Sequence, residues 1–155
     1  MAIEIERKFL VKGEFRNFVE KSVRIRQGYI SSVPERSVRI RIMNDRGFLA
    51  IKGETNSSGK SRYEWETEIP VTEAEELLNI CEPGLIEKTR HLVKYGKHIF
   101  EIDEFYGENN GLILAEIELK SESENIEMPD WIGEEVTGDP KYYNVMLTKK
   151  PFSKW

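Results

Sequence analysis

The sequence predicts an α+β protein that is mainly β: an eight-stranded antiparallel closed β-barrel with a few flanking helices, including a C-terminal helix. Three observations predict it. Eight segments alternate apolar and polar side chains with the two-residue period of a strand. Most are joined by short turn sequences, which suit antiparallel neighbours. No internal repeat or linker divides the 155 residues, so they fit one domain spanning 1–155.

In the first strand Glu4, Glu6 and Lys8 share one face while Ile3, Ile5, Phe9 and Val11 share the other. Glu14 to Lys21, with Phe15, Phe18 and Val19, reads as a short helix. Val23 to Ile30 alternates again, and Ser31 to Pro34 turns into a strand over Arg36 to Met43. There Arg39 and Arg41 oppose Val38, Ile40 and Ile42. Asn44 to Gly47 is a hairpin connection to Phe48–Lys52, with Lys52 facing away from Leu49 and Ile51. After a polar loop, Arg62, Glu64, Glu66 and Glu68 alternate with Tyr63, Trp65, Thr67 and Ile69, and Pro70 ends the strand. Thr72 and Glu75 have capping-box spacing, and Ala74, Leu77, Leu78 and Cys81 recur at helical spacing.

Pro83-Gly84 stops that helix. The next strand, Ile86 to Tyr95, carries Lys88 and Arg90 on one face. Glu101 and Asp103 then alternate with Phe100 and Ile102. The eighth strand, Leu112 to Lys120, sets Glu116, Glu118 and Lys120 against Ile113, Ala115, Ile117 and Leu119. A polar stretch follows, and Asp139-Pro140 opens a last helix through Tyr143, Met146 and Leu147, as N-cap and first-turn proline.

Composition bounds the function. A net charge of −5 argues against general nucleic-acid binding, yet 23 lysines and arginines leave room for a local basic cavity. The single Cys81 excludes an internal disulfide and fits a reducing compartment, so a cytoplasmic protein is expected. No stretch reaches the roughly 20 apolar residues of a membrane-spanning helix.

One solvated strand face would be ordinary. Here the charged faces sort by sign: Arg39, Arg41, Lys52, Lys88 and Arg90 on three strands, and Glu64, Glu66, Glu101, Asp103, Glu116 and Glu118 on three others. The first strand carries both signs. A barrel with these faces turned inward would have a lumen suited to a multiply negative ligand together with hard cations. A carboxylate-rich lining without nearby His or Cys favours Mg²⁺ or Mn²⁺ over zinc. His91 and His98 lack metal-ligand spacing and fit surface or strand-end positions, Cys81 fits its helix's core face, and Trp65 falls on the outer face.

Glu4-Ile5-Glu6-Arg7-Lys8 resembles the ExExK signature of the CYTH superfamily, the triphosphate tunnel metalloenzymes. The likeness runs over nearly the whole chain. It includes Arg26-Gln27-Gly28-Tyr29, Val38-Arg39-Ile40-Arg41, Ile51-Lys52-Gly53, the Arg62, Glu64 and Glu66 alternation and Lys88-Thr89-Arg90. Glu101-Ile102-Asp103, Ala115-Glu116-Ile117-Glu118-Leu119 and Glu135-Val136-Thr137-Gly138-Asp139 complete it. Ala50, where a Thr is common, departs from the pattern without touching an expected contact.

The resemblance implies a tunnel that binds a triphosphate and divalent cations. It implies metal-holding roles for Glu4, Glu6, Glu116 and Glu118, assisted by Asp103 and by Glu64 or Glu66. Lys8, Arg39, Arg41, Lys52, Lys88 and Arg90 would hold phosphate oxygens. Lys8 and the four glutamates form the expected catalytic group. A metal-dependent hydrolase of tripolyphosphate, cleaving the terminal phosphoryl group, is the leading expectation. Class IV adenylate cyclase and thiamine triphosphatase are the enzyme alternatives; a non-catalytic polyphosphate- or nucleotide-binding module is another. Apolar strand faces left uncovered by short helices would allow a homodimer.

Overall fold

The computed structural model describes residues 3–155. The strands are β1 (Ile3–Val11), β2 (Lys21–Ser31), β3 (Ser37–Met43), β4 (Arg46–Lys52) and β5 (Ser61–Ile69), followed by β6 (Ile86–Tyr95), β7 (His98–Phe105), β8 (Ile113–Glu118) and β9 (Ile132–Glu135). Helix α1 (Val71–Leu78) follows β5, and α2 (Asn144–Leu147) lies near the end of the chain. The sheet order is β5-β4-β3-β2-β6-β7-β8-β1-β9, and β1 also pairs with β5, which closes eight strands into an antiparallel barrel. The mainly β, closed-barrel expectation holds. Among the described residues no helix is long and apolar enough to cross a membrane.

The barrel closes on β1, which divides one edge between two partners. Its first residues pair with β5, Ile3 opposite Tyr63, Glu4 opposite Arg62 and Ile5 opposite Ser61. Beyond them the edge passes to β9, with Phe9 opposite Glu135 and Val11 opposite Ile132. Between the two, Lys8 N–H donates to Thr137 Oγ1 at 2.9 Å, and Val136 N–H donates to the Lys8 carbonyl at 2.8 Å. The backbone groups of β1 are thus satisfied where β5 leaves it. This ninth strand has no counterpart in the sequence reading.

Three other expectations are corrected. Residues 14–21 form no α-helix; only Arg16–Phe18 make a 3-10 turn, and β2 already begins at Lys21. Phe15 is fully buried while Phe18 is 59% exposed, so their side chains share no apolar face. Thr72 does not cap α1: the helix starts one residue earlier, and Ala74 N–H donates to the Pro70 carbonyl at 3.0 Å. Asp139 does accept from Lys141 N–H at 3.1 Å, but the turn it starts is a 3-10 turn over Pro140–Tyr142. Tyr143 is extended, and α2 adds a single turn.

Outside the barrel, apolar strand faces are covered in two places. Phe9, Phe100, Ile102, Ala115 and Ile117 pack under Phe15, Trp131 and Ile132. Ile40 and Ile42 pack under α1 through Ala74, with Leu49, Ile69, Leu77, Leu78 and Cys81 around them. Glycine permits this close approach: a Cβ on Gly47 would meet the Ala74 Cβ at 2.7 Å, and one on Gly28 would meet the Cys81 Cβ at 3.0 Å. Gly47→Ala therefore overpacks the seat of α1. It should cost about 1–3 kcal/mol, roughly 2–4 °C of Tm per kcal/mol at this chain length, measured by thermal melting.

Candidate active site

The alternation that directs apolar side chains outward directs the charged ones into the lumen. Lys8, Arg39, Arg41, Lys52, Lys88 and Arg90 are all buried, and they line a cavity of about 260 Å³ together with Glu4, Glu6, Glu64, Glu66, Glu101, Glu116 and Glu118. The strand order sorts these groups into two halves. Lys52, Arg39, Arg41, Lys88 and Arg90 lie on β4, β3 and β6, with only β2 between the last two. Glu101, Glu116, Glu118, Glu4, Glu6, Glu64 and Glu66 lie on the neighbours β7, β8, β1 and β5. One side of the lumen is basic and the other acidic.

Ion pairs join the halves where they meet. At the β4–β5 boundary Lys52 Nζ reaches Glu64 at 2.9 Å and Glu4 at 3.0 Å, and Arg39 reaches Glu66 at 3.1 Å. At the β6–β7 boundary Arg90 makes a two-pronged pair with Asp103 at 2.8 and 2.9 Å, and Lys88 Nζ donates to Asp103 at 2.8 Å. Two cations on the acidic strands themselves stand within that half: Lys8, 3.4 Å from Glu116, and Arg62, 3.3 Å from Glu4.

Asp103 departs from its expected place as an assistant to a metal. It is 1% exposed, does not line the cavity, and has both oxygens engaged by Arg90 and Lys88. Glu101, on the same face two residues earlier, reaches the cavity instead.

The lining also includes Arg62, Lys60, Tyr29 and Tyr143, which the sequence reading did not select, and Asn144. Parity could have found Arg62, which shares the Glu64 and Glu66 face. Nothing in the sequence marks Asn144. His91 and His98 stay outside, hydrogen-bonded to Glu104 and Glu124 respectively, and Trp65 is 44% exposed on the outer face.

Electrostatics separates the carboxylates. Burial works against ionisation of Glu4, but Lys52 and Arg62 prevail and hold it well below the usual range. Burial likewise opposes Glu116, yet Lys8 and Arg90 hold it down to about 2. Glu6 goes the other way: burial first, then Glu116 and Glu4, push it well above an ordinary carboxyl. On the basic side burial, with Arg39 and Arg90 adding to it, pushes Arg41 down to about 9. Burial pushes Lys88 down to about 7, although Asp103 pulls in the opposite direction.

Both halves fit the ligands their chemistry predicts. The Arg39 Nε is a buried donor without a partner among the described residues, and an anion oxygen would satisfy it. On the acidic side Glu6 is opposite Glu118 across the β1–β8 ladder, and Glu101 is opposite Glu116 across β7–β8. With Glu4 and Lys52 turned toward each other, and Glu116 toward Lys8, no three carboxylates converge on one point among the described residues. The donor set is all oxygen, and the crowding that raises Glu6 is the condition a divalent cation relieves.

A family model for the CYTH domain matches residues 2–143. The chain belongs to the CYTH family. An inorganic triphosphatase from Acetivibrio thermocellus is 49% identical over 100% of this chain and 99% of its own length. An inorganic triphosphatase from Nitrosomonas europaea is 38% identical over 93% of this chain and 95% of its own. The crystal structure of an inorganic triphosphatase superposes on this CYTH domain with a TM-score of 0.68 at 36% identity, covering 96% of this chain and 95% of the other. A more distant structure, from Hippeastrum, shares the fold at 15% identity with a TM-score of 0.57, over 78% of this chain and 80% of that one.

Proposed function

We propose that this CYTH protein is an inorganic triphosphatase that hydrolyses the terminal phosphoanhydride bond of tripolyphosphate with the help of a divalent cation, Mg²⁺ or Mn²⁺. The observation that carries the reading is the division of one lumen into an acidic and a basic half. A condensed phosphate bridged by hard cations is complementary to both halves at once. The two curated relatives support the same substrate.

In this reading Arg39, Arg41 and Arg90 present guanidinium forks to phosphate oxygens, while Lys8, Lys52 and Lys88 act as point charges. Glu4, Glu6, Glu116 and Glu118, with Glu64 and Glu66 at their flank, would hold the cation. A bound divalent cation supplies charge neutralisation at the phosphoryl oxygens and a more acidic water. The chain's own contribution is placement: phosphoryl transfer depends on in-line alignment and fixed charge more than on covalent chemistry. Asp103 takes a supporting part, directing Lys88 and Arg90 from behind the lining.

The test is orthophosphate release from tripolyphosphate with Mg²⁺ or Mn²⁺, against the same protein in a chelator. ATP in a parallel assay gives orthophosphate or nothing under this reading. Cyclic AMP and pyrophosphate would transfer the site to a cyclase, and binding without turnover would make it a sensing module.

The basic side also predicts a pH dependence. Lys88 titrates near 7, so its charge is present below that pH and lost above it. The KM for tripolyphosphate accordingly rises as pH climbs through about 7 and beyond. In Lys88→Met the KM is higher at low pH, and that rise is much reduced. Steady-state kinetics across the range measures both.

A further inference from the structure

Two amides connect the C-terminal turn to the basic side of the lumen. Arg41 Nε donates to Gln27 Oε1 at 2.9 Å, and Gln27 Nε2 donates to Asn144 Oδ1 at 3.1 Å. Lys88 Nζ donates to the same Asn144 oxygen at 2.7 Å. Arginine and lysine only donate, so both ends of the chain fix which way each amide points. Gln27 is fully buried, on the lumen face of β2 between the strands that carry Arg41 and Lys88.

Asn144 stands at the first position of α2, directly after the extended Tyr143. That break in the backbone brings its side chain to the cavity, which it lines beside Tyr143 and Val145. The rest of the turn is held by Leu147, fully buried against Leu10, Ile86, Phe105 and Leu114. These four share their strands' lumen parity, so an apolar cluster fills one end of the barrel and anchors the turn that carries Asn144.

We propose that Asn144 and Gln27 are positioning residues of the triphosphate site. One amide oxygen from the C-terminal turn sets the direction of the Lys88 ammonium and, through Gln27, of the Arg41 guanidinium. This role rests on the proposed reaction for its substrate. It adds a claim of its own: the turn acts on phosphate through a hydrogen-bonded chain and not merely by covering the barrel.

The experiment compares wild type with Asn144→Leu, Gln27→Met and the double variant, the replacements keeping side-chain volume. Tripolyphosphate binding is measured by calorimetry without divalent metal, and kcat and KM are measured with Mg²⁺. No charged residue is replaced in any variant, and each single change should weaken binding about 10-fold, the equivalent of about 1.4 kcal/mol. The KM should rise with it, and kcat should fall less. Because the two amides act in one chain, the double variant should lose about 10- to 30-fold, short of the roughly 100-fold of independent effects.

Unchanged affinity in either single variant overturns the role, as does full additivity in the double. If a variant fails to fold, the remaining single and Gln27→Leu decide by the same binding measurement. Wild-type protein that binds tripolyphosphate without hydrolysing it defeats the enzymatic reading and leaves the positioning role to the binding data. Wild-type protein that does not bind it defeats both.

Discussion

Glu6→Gln should slow phosphate release from tripolyphosphate by about 10²–10³-fold, the scale set by removing one preorganised electrostatic contact from a reacting centre. The same change should raise the Tm of the metal-free protein. Glu6 sits between Glu116 and Glu4, and burial and both neighbours make its ionised form unfavourable in the folded state. A carboxyl whose folded pKa lies above its unfolded value favours the fold only at low pH. That contribution is lost as pH rises through the raised pKa, so above the unfolded value Glu6 opposes folding, first through the proton it must retain and then through its charge. A neutral amide removes the opposition and also removes a cation ligand. Mg²⁺ should then raise the Tm of wild type by mass action but leave Glu6→Gln nearly unmoved. Thermal melts in chelator and in Mg²⁺, beside the assay, separate a ligand-binding carboxylate from a structural one.

Asp103→Ala should behave in the opposite way. Asp103 accepts three hydrogen bonds from two buried cations, Arg90 and Lys88. Removing it leaves Lys88 with no carboxylate partner and Arg90 with only Glu101, 3.4 Å away, a loss of about 3–5 kcal/mol for breaking a buried pair. At roughly 2–4 °C per kcal/mol, the Tm falls by at least about 6 °C. Burial raises the Asp103 pKa, but Arg90 and Lys88 outweigh it and hold the carboxyl far below its ordinary range. A depressed carboxylate contributes stability above its unfolded pKa and loses it as pH falls through the folded value. The gap between wild type and variant should therefore be full at neutral pH and narrow in strong acid. Phosphate binding weakens as well, since Lys88 and Arg90 lose their direction. Two carboxylates of the same inward parity thus differ in the sign of their effect on stability, which neither alternation nor charge reveals.

Alternation makes the charged faces of β1, β3, β4, β5, β6, β7 and β8 legible in the sequence, because a strand's parity fixes which residues look the same way. It carried Lys8, Arg39, Arg41, Lys52, Lys88, Arg90 and the lining glutamates into the cavity together. What parity does not encode is height along the barrel. Leu10, Leu112, Leu114, Ile86 and Phe105 share the inward parity of the charged groups yet form the apolar cluster at one end. Asp103 shares it with Glu101 and still lies behind the lining. Order around the barrel is equally silent in the sequence, and it is what separates acid from base. β9 escaped notice because Ile132–Glu135 is only 4 residues long, too short for a period to register, and it exists only because β1 has a free edge there. The Thr72 cap failed because the Pro70 carbonyl takes the first turn's N–H. Asn144 reaches the lumen through a backbone break at Tyr143, which no periodicity anticipates.

The most direct measurement is anomalous diffraction from crystals grown with Mn²⁺ and tripolyphosphate. A manganese peak within coordination distance of Glu6 and Glu116, with phosphate oxygens on Arg39, Arg41 and Lys88, is the predicted result. Manganese and phosphate found only on the barrel's outer surface, with the lumen's ion pairs undisturbed, would contradict the account.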